Sequence, residues 1–177
     1  MNLKRTLAVL AVVCVLIVAV VAMQRQRVSP HETIEATIGG KKVSITYGRP
    51  SLKGRKAVGG ALVPYAAVWR TGADEATVLT TEADLMIGNL AVPKGTYTLF
   101  TLPSANGWKL IINKHTGQWG IPYQYESEEL GRVNMKVTAL KASVEQFTIT
   151  LTAAKGGGTL KLEWEMTTAS IAFKVKK

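Results

Sequence analysis

Beyond residue 27 the chain has no cysteine; its only one, Cys14, lies in an apolar run near the N-terminus. This excludes disulfides, thiolate metal sites and a cysteine nucleophile from most of the protein, so stability there must come from a packed core. Histidine is nearly as scarce. His31 and His115, 84 positions apart, are the two present, short of the three or four ligands a histidine zinc centre needs. No nucleophile-elbow signature accompanies them, so a serine–histidine triad has no local support. His115, in Lys-His-Thr-Gly, reads as a solvent-facing turn residue, and His31 lies beside an N-terminal tether, a poor place for chemistry. No metal and no cofactor is expected. Acidic residues are also few: 12 against 22 Lys and Arg, a net charge of +10, with none before Glu32. Outside the cytosol such a balance meets anionic lipid, glycan or phosphorylated ligands rather than nucleic acid, or simply keeps a domain soluble.

What is present begins with a leader. Lys4 and Arg5 precede an uncharged apolar run from Leu7 to Met23, and Gln24, Arg25, Gln26 and Arg27 close it. A basic start followed by an apolar stretch is the layout of a secretory signal, and Val20-Val21-Ala22 offers small residues for cleavage after Ala22. As a helix the run spans about 25 Å, long for a signal and short for the hydrocarbon core of about 30 Å. A cleaved signal peptide and a retained transmembrane anchor over residues 1–23 both remain open. Either puts the domain in the periplasm or cell envelope, the second tied to the inner membrane. Losing Lys4 and Arg5 with the leader removes two charges from the +10 and leaves +8. Val13 precedes Cys14, so a lipid anchor there is not expected.

After a tether at 24–32, residues 33–177 alternate with period two. Val133, Met135 and Val137 form one such series, Phe147, Ile149 and Leu151 a second. Leu160, Leu162, Trp164 and Met166 form a third, and Ile171, Phe173 and Val175 a fourth. Gly39-Gly40 marks a tight hairpin between Ile34–Ile38 and Val43–Tyr47. Thr77–Thr81, Leu85–Val92, Gly95–Leu102 and Trp108–Asn113 read as further strands, and Ala153–Gly158 as a flexible hairpin loop. About ten short strands predict an all-β fold, an antiparallel β-sandwich of two sheets, jelly-roll-like, behind one N-terminal hydrophobic helix.

Two segments break the alternation: Gly48–Gly72 and Asn113–Leu130. Long irregular insertions in a compact domain are usually functional. No acidic residue falls between Glu35 and Asp74, and Arg49, Arg55 and Arg70 lie in that window. Guanidinium forks match carboxylate and phosphate groups, so these three are candidates for an anion site; the alternative is a solvated loop whose arginines bond neighbouring carbonyls or carboxylates. Asp74 and Glu75 follow at a strand entrance. Strand neighbours point to opposite faces, which disfavours a shared acid–base site and favours a salt bridge from one of them to Arg70. Asn113, at the mouth of the second loop, and Trp119, between Gln118 and Gly120, complete the candidate ligand-binding set. Trp119, Tyr123 and Tyr125 suit stacking on sugars or bases, or plugging the end of the domain.

ITYGRPSLKGRKAVGG, LVPYAAVWRTGADEAT, VPKGTYTLFTLP and INKHTGQWG, in this order, resemble a bacterial exported family known as domain of unknown function 2911. The resemblance runs from about Ser29 to the C-terminus. It implies a β-rich envelope domain, often behind a signal or lipoprotein signal, and carries no catalytic residue. The family usually has Asn where Asp74 stands, and a larger apolar residue in place of Ala57 or Val58. The expected role is therefore binding or envelope maintenance, recognising an anionic small molecule, glycan or lipid head group through the basic loop. A hydrolase or lyase with an arginine-lined pocket and one carboxylate is the first alternative, and a structural domain binding a protein partner the second.

Overall fold

A computed structural model describes residues 26–176. The leader over 1–23 and the first two tether residues lie outside the described residues. Among the described residues no helix is long and apolar enough to cross a membrane.

The chain folds as an all-β domain. The strands are β1 (His31–Ile38), β2 (Lys41–Gly48), β3 (Thr77–Thr81), β4 (Leu85–Ile87), β5 (Leu90–Val92), β6 (Gly95–Ser104), β7 (Gly107–Asn113), β8 (Glu129–Ala154) and β9 (Gly157–Val175), with one 3-10 turn at Glu126–Glu128. Gly39 and Gly40 both take positive φ, 58° and 77°, as the two-residue turn of a right-twisted hairpin requires. That turn sets the register, with His31 opposite Gly48.

The nine strands join in one antiparallel sheet ordered β1-β2-β3-β6-β7-β8-β9-β4-β5, rather than in two separately bonded sheets. The reason is β8. The sequence suggests two strands in its place, but the chain stays extended for 26 residues, pairing β7 with its first part and β9 with its last. Straight, it would measure about 85 Å, far more than a domain whose radius of gyration is about 15 Å can span. Register shifts between Ala139 and Thr148 mark where it bends. The bend brings its second half back to the end of β2: Ser51 bridges Gln146, and the Tyr47 hydroxyl accepts from the Ile149 N–H at 3.0 Å. The third and fourth alternating series likewise merge into β9, Leu85–Val92 splits into the β4–β5 hairpin, and the supposed flexible loop shrinks to a turn at Lys155–Gly156.

Burial follows from that curl. Tyr47, Phe147, Trp69, Trp108 and Trp164 meet in the main core, Trp69 stacking on Trp164 at 5.9 Å and meeting Phe147 edge-on at 4.9 Å. Such pairs contribute about 0.5–1.5 kcal/mol beyond the area they bury. A smaller cluster of Ala76, Phe100 and Ile111, with Val68, Leu102 and Tyr123 packed on it, is separate from the main core. Consecutive buried residues from Tyr97 to Thr101 and from Leu110 to Asn113 show that β6 and β7 are covered on both faces there.

Candidate functional site

The loop leaving β2 is packed. Leu52, Ala57, Val58, Val63 and Trp69 are buried, and the Ala57 and Val58 amides both donate to Glu165. Its arginines bond the protein itself. Arg49 pairs with Glu32 at 2.9 Å and donates to the Phe147 carbonyl and the Thr148 hydroxyl. Arg55 donates to the carbonyls of Leu52 and Ser51, both at 2.9 Å. Arg70 donates to the Gly72 carbonyl, and its stem lies so close to Gly120 that a Cβ there would sit 2.2 Å from Arg70 Cδ. Burial pushes the Arg70 pKa down, against the opposing charge of Asp74.

Beyond Arg70 the backbone is strained. Thr71 and Asp74 take φ of 56° and 63°, a region a β-branched residue such as Thr rarely enters and which costs about 1–3 kcal/mol. Hydrogen bonds hold it: Thr77 donates to the Thr71 carbonyl at 2.7 Å and Thr71 to the Thr101 hydroxyl at 3.2 Å. A close approach also holds it, since a Cβ on Gly48 would lie 2.3 Å from the Ala73 carbonyl oxygen. The result aims Asp74 and Glu75 at the N-terminal arm instead of at Arg70. Asp74 Oδ2 accepts from the amides of Val28 and Ser29. Glu75 Oε1 accepts from Arg27 Nε at 2.8 Å, and its Oε2 lies 2.9 Å from His31 Nε2.

Glu75, His31, Arg27 and Gln118 line a cavity of about 200 Å³, with Tyr47 and Gly48 on its wall. His31 Nδ1 faces the Ser29 carbonyl at 3.0 Å, so both ring nitrogens face oxygen acceptors. His31 Nε2 and Glu75 Oε2, both buried, face each other closely enough for an ion pair and form part of the cavity wall. Gln118 Oε1 is buried there too, with no hydrogen-bond partner among the described residues. Its amide is oriented by Thr98, whose hydroxyl donates to the His115 carbonyl and therefore accepts from Gln118 Nε2 at 3.1 Å. For Glu75, burial works to raise the pKa, but the Arg27 hydrogen bond and the positive charges of Arg27 and His31 leave it below the usual carboxylate value.

The loop leaving β7 carries Gln118. Asn113, fully buried, ties it down by donating to the Tyr123 hydroxyl and the Tyr125 carbonyl and accepting from the His115 amide. Tyr123 donates to Glu129 at 2.5 Å, and Arg132 grips Glu129 with two bonds of 2.7 and 2.8 Å. Burial, then the bond to Glu129, pushes the Tyr123 pKa well up. Burial opposes ionisation of Glu129, but the bonds from Arg132 and Tyr123 outweigh it and lower its pKa. His115 stacks on Tyr125 with centroids 3.6 Å apart and meets Glu128 at 3.0 Å. Trp119 bridges Glu75 through the backbone and lines a second hollow of about 220 Å³ with Gln118, Gln124 and Tyr125. Among the described residues, no three His, Cys, Asp or Glu side chains gather as a metal centre would need.

Residues 29–173 match the model of a family described as protein of unknown function, DUF2911. The chain belongs to this family. No curated protein and no solved structure matches it. Position 74 suits the Asp found there: its short polar side chain tolerates a left-handed backbone, and a side-chain oxygen is what the Val28 and Ser29 amides need.

Of the residues singled out from sequence, the DUF2911 fold brings Glu75 to the first cavity and Trp119 to the adjoining one. Asp74 anchors the arm and Asn113 anchors the second loop. Arg49, Arg55 and Arg70 line neither cavity. The salt bridge expected between Arg70 and Asp74 or Glu75 does not form, because both carboxylates face the arm. Sequence reasoning missed Arg27, His31 and Gln118. A signal existed for His31: counting back from the Gly39-Gly40 turn puts it opposite Gly48, at the root of the first loop.

Proposed function

We propose that this DUF2911 chain is an extracytoplasmic binding domain, exported or anchored by residues 1–23, with its ligand site in the His31–Glu75–Gln118 cavity. The curled sheet would act as a two-layer, jelly-roll-like sandwich presenting that cavity; a core shared by β2, β8 and β9 supports this. One observation carries the binding reading: a buried imidazole–carboxylate pair, His31 and Glu75, and a Gln118 Oε1 without a hydrogen-bond partner line a single cavity. Buried polar atoms are paired in the great majority of native sites, and exceptions call for an explanation. Arg27 and His31 converge on the Glu75 side of this cavity, which favours a small anion. Gln118 Oε1 asks that the ligand also bring a donor, so a small hydroxylated carboxylate fits the set.

The test is a thermal shift of the full chain in detergent with acetate, glycolate and phosphate. Saturation at 100 times Kd stabilises by about 2.7 kcal/mol, a shift of roughly 5–10 °C at this size. The shift is expected to disappear in His31→Ala and Gln118→Leu and to survive Arg49→Ala/Arg55→Ala. Loss in the arginine pair alone would move the site to the basic loop. A hydrolytic reading has one observation in its favour, an imidazole and a carboxylate 2.9 Å apart in a cavity. It requires Glu75-dependent turnover of ester or phosphoester substrates, and equal turnover by Glu75→Gln would end it.

A further inference from the structure

A larger cavity, of about 540 Å³, opens beside the β6–β7 hairpin, within the roughly 300–1,000 Å³ usual for a small-molecule site. Two adjacent rows of the ladder line it. Pro103, Trp108 and Met135 stand opposite one another across β6, β7 and β8, and Leu102, Lys109 and Asn134 do so one step along. Ala66 joins them from the first loop, its amide donating to the Pro103 carbonyl at 2.9 Å. Trp108 is buried, with Trp69 edge-on to its ring at 6.3 Å, so the aromatic wall is fixed. The thioether of Met135 adapts to what lies against it. Lys109 is the one charged residue of the lining. Unlike Arg49, Arg55 and Arg70 it is exposed, and its side chain makes no ion pair or hydrogen bond among the described residues. The side-chain amide of Asn134, directly across from it, makes none either.

We propose that this cavity, independent of the one lined by His31, Glu75 and Gln118, binds a straight-chain aliphatic carboxylate, the chemistry of a fatty acid. The chain lies against Leu102, Pro103, Trp108 and Met135, and the carboxylate meets Lys109 with Asn134 beside it. Charge sets the head group. The lining offers one ammonium and no carboxylate to oppose it, so an anion gains a partner where a cation meets repulsion. Lysine is a compact charge on a flexible stem, able to follow a head group whose position varies with chain length. The Asn134 amide brings N–H donors for the second carboxylate oxygen. The walls set the tail, since each methylene buried against them raises affinity about fourfold. An exposed ion pair alone adds little. The chain therefore carries most of the affinity, and Lys109 the choice of head group.

Amide NMR of the full chain in zwitterionic nanodiscs reads site and affinity together, with hexanoate, acetate, hexanol and hexylammonium as probes. Hexanoate is expected to shift the amides of Gly107, Lys109, Asn134 and Met135. At these amides it should bind about a hundredfold more tightly than acetate and severalfold more tightly than hexanol or hexylammonium. Shifts at Gln118 report the other cavity separately, so either site can fail and leave the other readable. Lys109→Gln should weaken hexanoate about threefold to fivefold and leave hexanol unchanged. Asn134→Asp, at an exposed position, sets a carboxylate opposite Lys109 and should weaken hexanoate further still, again sparing hexanol. Acetate matching hexanoate at these amides would overturn the proposal by removing the chain from it. Hexanol or hexylammonium matching hexanoate, with both variants silent, would overturn it by removing the carboxylate. Hexanoate leaving the Gly107, Lys109 and Met135 amides unmoved would overturn it outright.

Discussion

The loop leaving β2 carries Arg49, Arg55 and Arg70, and the loop leaving β7 carries Gln118, Trp119, Tyr123 and Tyr125. In the first, charge is abundant and every arginine bonds a carbonyl or carboxylate of the same domain, while its apolar residues fill the core. In the second, the charged groups lock Tyr123 and Glu129 in place, and the cavities form beside an uncharged amide. A charge that already has partners is structural, however basic the stretch around it. Where hydrogen-bonding capacity is left over inside the fold, a ligand has something to gain.

Four substitutions bear on that contrast, the largest effect first. Trp69→Ala in the first loop removes the ring at the centre of the aromatic core, and about 3–5 kcal/mol of stability should go with it in urea denaturation. A loss under 1 kcal/mol would mean the loop is not part of the core. In the second loop, Glu129→Gln breaks the charged grip of Arg132 and weakens the Tyr123 bond, at an expected cost of about 1–3 kcal/mol at pH 7. Because folding lowers the Glu129 pKa, its contribution is present above the ordinary glutamate value and fades as pH falls through the lowered one. The variant's advantage-loss relative to wild type should therefore shrink in acid, and a constant difference from pH 7 to pH 3 would refute the assignment. Smallest in stability are Arg55→Ala and Gln118→Leu, each within about 1 kcal/mol of wild type, yet they should part in binding. Arg55→Ala keeps the ligand-induced thermal shift and Gln118→Leu loses it; the reverse pattern would exchange the roles of the two loops.

Much of the sheet was legible in sequence because a half-buried strand writes its period of two directly. Phe147, Ile149 and Leu151 are core residues or packed against the core, as their alternation implies. What the pattern lacks is continuity. The stretch from Ala139 to Glu145 has no clean alternation because β8 bends there, so one strand reads as two. The site was less legible. Glu75 and Trp119 stood out by type, but the cavity depends on left-handed Thr71 and Asp74, on Gly48 against Ala73, and on an arm whose residues look like linker. Non-local contacts of this kind leave no periodic trace. Arginine density, by contrast, shows at a glance and here marks groups that are already bonded.

The arm also has a mechanical meaning. β1 is the edge strand of the sheet, and its first residue pairs with the last of β2, so tension arriving from the N-terminal side would unzip it one rung at a time. Before that tension reaches the first rung it meets Asp74 on the amides of Val28 and Ser29, and Glu75 on Arg27 and His31. Those carboxylates lead straight into β3, inside the sheet, whose neighbours are β2 and β6. The clamp works as strain relief, delivering a tug from the N-terminal side to the middle of the domain and sparing its most easily peeled edge.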